Sequence, residues 1–413
     1  MRIIYPEDMR HVSSFDELME SDGPVLWPCI EPQIVPKGRV QTIGEAPTYQ
    51  LHDSFFSYAD SYEGNGWSIF RAKNVFIQDH IIHTSDGDIF AVIPRWRIYM
   101  KLDWCDRNDK EGMEKGLEKF FLTPSHREIV TVDGPSTPFY QGPHGHWMYE
   151  GFLPLAVWKK LGFMPNLLIT EPMPTYRHQF LDLMQGPKAK LSFINRFTHD
   201  LFCKDLWLVV PWASPACNKS VYSGSIHESH FSPIPMERTK NYKYSYSKAD
   251  LWLMLASDTT LEMTRSIGAK ASAHLGRGEK IFLRREKSAQ HRIYLNEAEV
   301  LRIAEKHGFV IVSPSLLSAE EEAAVFHQAK IICGSVEGAL FNTAFCKPGT
   351  RVICLSASED IVWPIQSICT VNQLELTIFR SPQFSSMDNY YNGALSLYVI
   401  DLVAFDELLS SLH

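Results

Sequence analysis

The second half of the chain alternates between short apolar runs and helical segments. Lys280-Ile281-Phe282-Leu283 is apolar, Glu297 to His307 has helical spacing and stops at Gly308, and Phe309-Val310-Ile311-Val312 is apolar again. Ser318 opens a helix running to Lys330, with Glu321 three residues on to complete a capping box. Ile331-Ile332-Cys333, a short helix from Gly338 to Phe345 and Arg351-Val352-Ile353-Cys354-Leu355 continue the series. Strands without a polar face need cover on both sides, and the helices between them supply it. The pattern therefore specifies an α/β fold around a parallel sheet.

The first half reads as mixed α/β. Asn74-Val75-Phe76-Ile77 and Asp88-Ile89-Phe90-Ala91-Val92-Ile93 flank a hairpin turn at Asp86-Gly87. A helix runs from Trp147 to Leu161 and ends at Gly162; Leu167-Leu168-Ile169-Thr170 is a strand, Arg177 to Met184 a helix and Leu206 to Val210 a strand. The polar stretch Ser223 to Lys248 reads as an inter-domain connection or a loop over a site. A helix is expected from about Asp250 to Ile267, and a strand then a helix led by Asp406 between Leu397 and Leu412. A chain of 413 residues suits two domains. The expected division is 1–235 and 236–413, with a C-terminal helix able to pack back on the first domain.

The formal charge is −8, which argues against a general nucleic-acid binder. No run approaches the roughly 20 apolar residues of a membrane-spanning helix. The N-terminus, Met1-Arg2-Ile3-Ile4-Tyr5-Pro6-Glu7-Asp8, has no secretory h-region. Eight cysteines include no Cys-x-x-Cys pair, so zinc-ribbon and thioredoxin motifs are not expected. Together these features give a cytoplasmic expectation without a membrane span, compatible with peripheral membrane association.

Ligands of a parallel sheet bind at the carboxyl ends of its strands. Arg284-Arg285 directly follow the strand at 281–283, with Lys287, His291 and Arg292 beyond. Arginine forks suit phosphate oxygens, although most charge runs are solvated loops. Gly334-Ser335-Val336-Glu337-Gly338-Ala339-Leu340-Phe341-Asn342 joins a strand to a helix through small residues. Such a turn can bring backbone N–H groups to a diphosphate, or simply be a tight connection. In the first half, His146 and Glu150 are four apart in His144-Gly145-His146-Trp147-Met148-Tyr149-Glu150. On an α-helix they would share a face, where a carboxylate can orient an imidazole base. A helix cap with a surface pair is the alternative. His144 and His146 lack a further ligand group for a metal. There is no Gly-x-Ser-x-Gly elbow, no Asp-x-Asp motif and no Gly-x-Gly-x-x-Gly after a first strand.

Taken together these segments resemble family-61 glycosyltransferases, the type described in bacteria as capsular polysaccharide biosynthesis proteins. His146-Trp147-Met148-Tyr149-Glu150 with Leu153-Pro154-Leu155 resembles the family's His-Trp-Leu-x-Glu-x-Leu-Pro-x-Leu helix. The C-terminal likeness runs through Ile281 to Arg285, Arg292, Asn296-Glu297, Gly308-Phe309, Leu317-Ser318, Glu321, Phe326 and Ala329 to Gly334–Asn342 and Phe345. Leu283 stands where the family usually has Ser, and Glu321-Glu322 where it has Glu-Gln. The loop histidine of His-Gly-Ala-Gly-Leu-x-Asn has no counterpart when Asn342 is the anchor.

The resemblance implies two Rossmann-like domains facing across a cleft, the GT-B type. It also implies an inverting, metal-independent hexosyl or pentosyl transfer from a nucleotide-diphosphate sugar, UDP-linked by expectation, to a glycan or lipid-linked hydroxyl, with no cofactor. Arg284, Arg285 and Arg292 would neutralise the leaving diphosphate, beside Glu337, Gly338, Ala339 and Asn342, with Asn296 and Glu321 in support. His146 or Glu150 would supply the base. A catalytically degenerate glycan-binding or scaffold protein of a polysaccharide assembly pathway is the competing expectation, motivated by the altered glycine loop.

Overall fold

A computed structural model describes residues 2–4, 9–31, 34–36, 39–44, 61–63, 66–78, 81–90, 92, 125–139, 144–169, 172–184, 188–195, 197–212, 257–273, 275, 278–284, 293–356, 363–381, 383–386 and 396–412. The stretch Ser223 to Lys248 lies outside these residues, as do Arg285, Lys287, His291 and Arg292.

The second half forms a parallel sheet in the order Val310–Val312, Lys280–Leu283, Ile331–Ser335, Arg351–Ser356, Glu375–Arg380. Numbered along the chain, that order is 2-1-3-4-5, the flavodoxin-like doubly wound arrangement. A sixth strand, Arg39–Ile43, comes from the first half and adds in parallel beside Glu375–Arg380. Strand residues alternate between two cores, as a two-sided sheet requires. Ile281 and Leu283 face a core with Phe326, Ile332 and Phe345, while Phe282 faces one with Val300, Cys333 and Phe405.

The helices follow from their caps. Ser318 and Glu321 form the expected capping box at the start of Ala319–Gln328. Ser257 forms another at Asp258–Ser272, and its Oγ also accepts from Trp67 Nε1 at 2.9 Å. Residues 250–256 of the expected helix lie outside the described part. The C-terminal helix Leu402–Ser410 is capped by Asp401 rather than led by Asp406. Asp406 lies mid-helix and binds Lys306 and His307, at 2.9 and 2.6 Å. That helix therefore packs on Glu297–Lys306, within the second half.

The first half holds a mixed sheet of ten strands among the described residues. Glu128–Phe139, Asn166–Ile169 and Leu191–Phe193 run parallel, with His199–Trp212 parallel to the first of them. Gly66–Gln78 pairs antiparallel with His199–Trp212. The Asp-Gly turn is present, but it joins Ile81–His83 to Ile89–Phe90; the segment at 74–77 pairs with Ile81–His83 instead. One apolar core then runs between the two halves. It includes Trp147, Phe152, Trp158 and Phe180 with Leu261, Phe326 and Phe345. Phe180 stacks on Phe345 at 5.5 Å, and Gln179 Oε1 accepts from Ala319 N at 3.1 Å, completing a second-half helix start with a first-half side chain.

Candidate functional site

In a 2-1-3-4-5 sheet the strand order reverses between the first and third strands, and ligands bind at the carboxyl ends there. In this chain those ends are Leu283-Arg284 and Ser335-Val336-Glu337. Arg284 is pinned by its backbone N–H, which donates to Val312 O at 2.8 Å. Its half-exposed guanidinium lies 3.9 Å from Glu297, too long for a close ion pair. A Cβ on Gly334 would lie 2.9 Å from Leu283 Cβ, so only glycine lets the two strands meet this closely.

Three buried residues beside this edge, Ser335, Tyr294 and Tyr398, carry hydroxyls. Ser335 Oγ and Tyr398 OH are 2.8 Å apart, and buried Tyr294 OH has no hydrogen-bond partner among the described residues. Burial, then the charges of Glu297 and Glu337, push the Tyr294 phenol up. Glu337 is itself buried and precedes the 3-10 helix Gly338–Phe345. Ala339 packs on the core from the surface of that turn. Asn296 and Glu321 have structural work here. Asn296 clamps Ile400 with two hydrogen bonds, at 2.8 and 3.1 Å, and Glu321 accepts from Ser318 N at 2.9 Å.

The two motifs of the separate halves touch. A Cβ on Gly338 would lie 3.4 Å from Gly145 N and 3.5 Å from His144 Cβ. His144 Nε2 lies 3.0 Å from Asn342 Oδ1, and Asn342 Nδ2 donates to Glu322 Oε1. Asn342 is fully buried and Glu322 nearly so. Burial pushes the Glu322 carboxyl up to about 8, against the opposing hydrogen bond from Asn342. Burial also pushes the His144 imidazole down to about 4, with help from the Arg177 charge. Arg177 is buried over Trp147 at 5.1 Å and donates from Nε to Tyr176 OH at 2.9 Å.

The helix expected from Trp147 onward is not uniform. Trp147–Phe152 is a π-helix, with Leu153 N donating to Met148 O at 2.9 Å, and Leu155–Leu161 is α-helical up to Gly162. His146 ends the short helix His144–His146, and Glu150 lies half-buried inside the π-turn. The backbone from Trp147 to Phe152 is therefore wound more widely than the α-helix that a spacing of four assumes. The structure gathers Asn342 with the His144 end of the first motif, and sets Arg284, Glu337 and Gly338 along the adjoining strand ends.

Sequence reasoning gave no role to Arg177 or Glu322 and weighed His144 only as a metal ligand. Glu322 did carry a signal. Ala319, Glu322, Ala323 and Phe326 fall on one helical stripe, and all are buried.

No helix among the described residues is long and apolar enough to cross a membrane. A search of curated proteins finds no match. The sequence profile described as Glycosyltransferase 61 matches residues 144–353, from His144 into the strand Arg351–Ser356, which is half of the chain. Its limits enclose both touching motifs and the strand ends that adjoin them. The chain belongs to glycosyltransferase family 61, and its activity is glycosyl transfer.

Proposed function

We propose that the protein transfers a sugar from a nucleotide-diphosphate donor, UDP-linked in the first instance, to a glycan or lipid-linked hydroxyl. The transfer inverts the anomeric centre and needs no metal. The observation that carries this reading is the convergence of Arg284, the Glu337-Gly338 turn and the 144–150 segment around one sheet switch point. Arginine there, with Arg285 and Arg292 following in sequence, offers cationic neutralisation of a leaving diphosphate. His146 and Glu150 serve on the acceptor side, one taking the hydroxyl proton as the new bond forms. The division of labour is of the GT-B type, with residues 1–235 serving the acceptor and 236–413 the donor. Synthesis of a capsular or related polysaccharide on the cytoplasmic side fits this chemistry.

The test is a panel of UDP-, GDP- and CMP-sugars assayed for slow donor hydrolysis and for transfer, with and without EDTA. Turnover of one UDP-sugar, unchanged by EDTA and giving the inverted anomer by NMR, is expected. Turnover abolished by EDTA, or a retained anomer, overturns the corresponding part. Full rates in both His146→Ala and Glu150→Gln would remove the base assignment. Absence of turnover and of any thermal shift with nucleotides would favour the scaffold reading.

A further inference from the structure

The side chain fixed most firmly where the two motifs meet is His144. Asn342 donates to Glu322 through Nδ2, so its carbonyl oxygen faces His144 Nε2. An amide oxygen only accepts, hence Nε2 carries the proton and, in a neutral ring, Nδ1 carries a lone pair. The ring stays neutral because burial, aided by Arg177, holds it well below the usual imidazole range. Trp147 and Tyr176 flank it at 5.8 and 5.6 Å, which restrains rotation. Nδ1 has no hydrogen-bond partner among the described residues, and His144 as a whole is half-buried. The ring also borders Gly338 of the donor-side turn.

We propose that His144 Nδ1 accepts a hydrogen bond from a sugar hydroxyl of the substrate, and that Asn342 and Glu322 are positioning residues that hold the ring in this tautomer. An imidazole this weakly basic carries protons poorly but accepts hydrogen bonds at any working pH. The proton of the reaction is left to His146 or Glu150. The charged and titratable neighbours are consistent with this division. Arg177 and Tyr176 face the cluster from the helix Thr175–Leu183, and Glu322 holds its proton in the folded chain up to about pH 8. A neutral carboxylic acid has nearly the shape of the Gln that the family resemblance leads one to expect at position 322. The hydroxyl belongs to the donor sugar or to the acceptor. A site built to bind a hydroxyl discriminates strongly against sugars lacking it. This inference rests on the nucleotide-sugar reading above.

The experiment is 15N NMR of the full chain labelled at histidine, with the signal of His144 identified by its loss in His144→Ala. The expected ring is protonated at Nε2 and bare at Nδ1 at about pH 7. The Nδ1 signal should move when UDP-glucose, UDP-galactose, UDP-N-acetylglucosamine or UDP-xylose binds but not with UDP alone, if the hydroxyl is the donor's. A shift only when free glucose, galactose or N-acetylglucosamine is added to the UDP complex would assign it to the acceptor. Glu322→Met should mix the tautomers and lower kcat/KM by about tenfold, and Glu322→Gln should restore both. Circular dichroism checks that each variant folds. A ring protonated at Nδ1, or identical behaviour of the folded Met and Gln variants, overturns the proposal. Sugar nucleotides that bind by calorimetry, with no sugar moving Nδ1 in any arm, also overturn it and leave the donor reading standing. Failure of every nucleotide sugar to bind removes that reading and this inference with it.

Discussion

Glu322 couples burial to protonation. Unfolded, its carboxyl titrates near 4.5; in the fold it keeps its proton to about 8. The native state thus binds more protons across that window. Its stabilising contribution is complete below about 4.5 and is lost as pH rises toward 8. His144 works in the opposite sense. Its folded value near 4 lies below the ordinary 6.5, so stability falls as pH drops from 6.5 toward 4. Glu322→Gln keeps the acceptor for Asn342 and removes the titration. Urea unfolding should therefore find it more stable than wild type by roughly 4 kcal/mol near pH 8, with little gain near pH 4.5. An equal gain at both values would mean that the carboxyl is not titrating in the buried site.

At the scale of elements, caps and close approaches set the site. Ser318→Ala removes the side chain that accepts from Glu321 N at 3.2 Å, and should cost about 1 kcal/mol in thermal unfolding. Gly334→Ala forces a methyl against Leu283 at the switch point. It should destabilise by about 1–3 kcal/mol and, by displacing Arg284, also weaken nucleotide binding. Unchanged stability and affinity would show that the strands have slack there. The second-half strands and capped helices were legible in sequence because two-sided apolar runs and a Ser-x-x-Glu box are local signals. The π-turn was not, because the pattern from Trp147 to Leu161 fits an α-helix until tertiary packing adds a residue to one turn. Asp406 misled for a related reason. An acid near a helix can cap it or, as here, pair with the neighbouring helix through Lys306 and His307. The His144–Asn342 contact joins residues 198 apart, a separation that no local pattern encodes.

Across the whole molecule, one apolar core shared by the two halves runs beside a further core on each side of it. Phe180 on Phe345, Gln179 on Ala319 and the strand Arg39–Ile43 beside Glu375–Arg380 all tie the halves together. Unfolding followed by far-ultraviolet circular dichroism and by tryptophan fluorescence should therefore coincide in one transition. Phe345→Ala should shift both probes together, at a cost of about 3–5 kcal/mol. Two separated transitions would mean that the shared core does not couple the halves. The same architecture brings the His144–Gly145 segment onto the Gly338 turn and Asn342. The central claim is that the switch point beside Arg284 holds the nucleotide diphosphate. The most direct measurement is calorimetric titration of UDP into wild type and Arg284→Ala, with folding of both checked by circular dichroism. The account predicts binding to wild type and at least about tenfold weaker binding to the variant, the loss of a charge-assisted phosphate contact. Equal affinity in the two proteins, or no UDP binding to wild type, would contradict it.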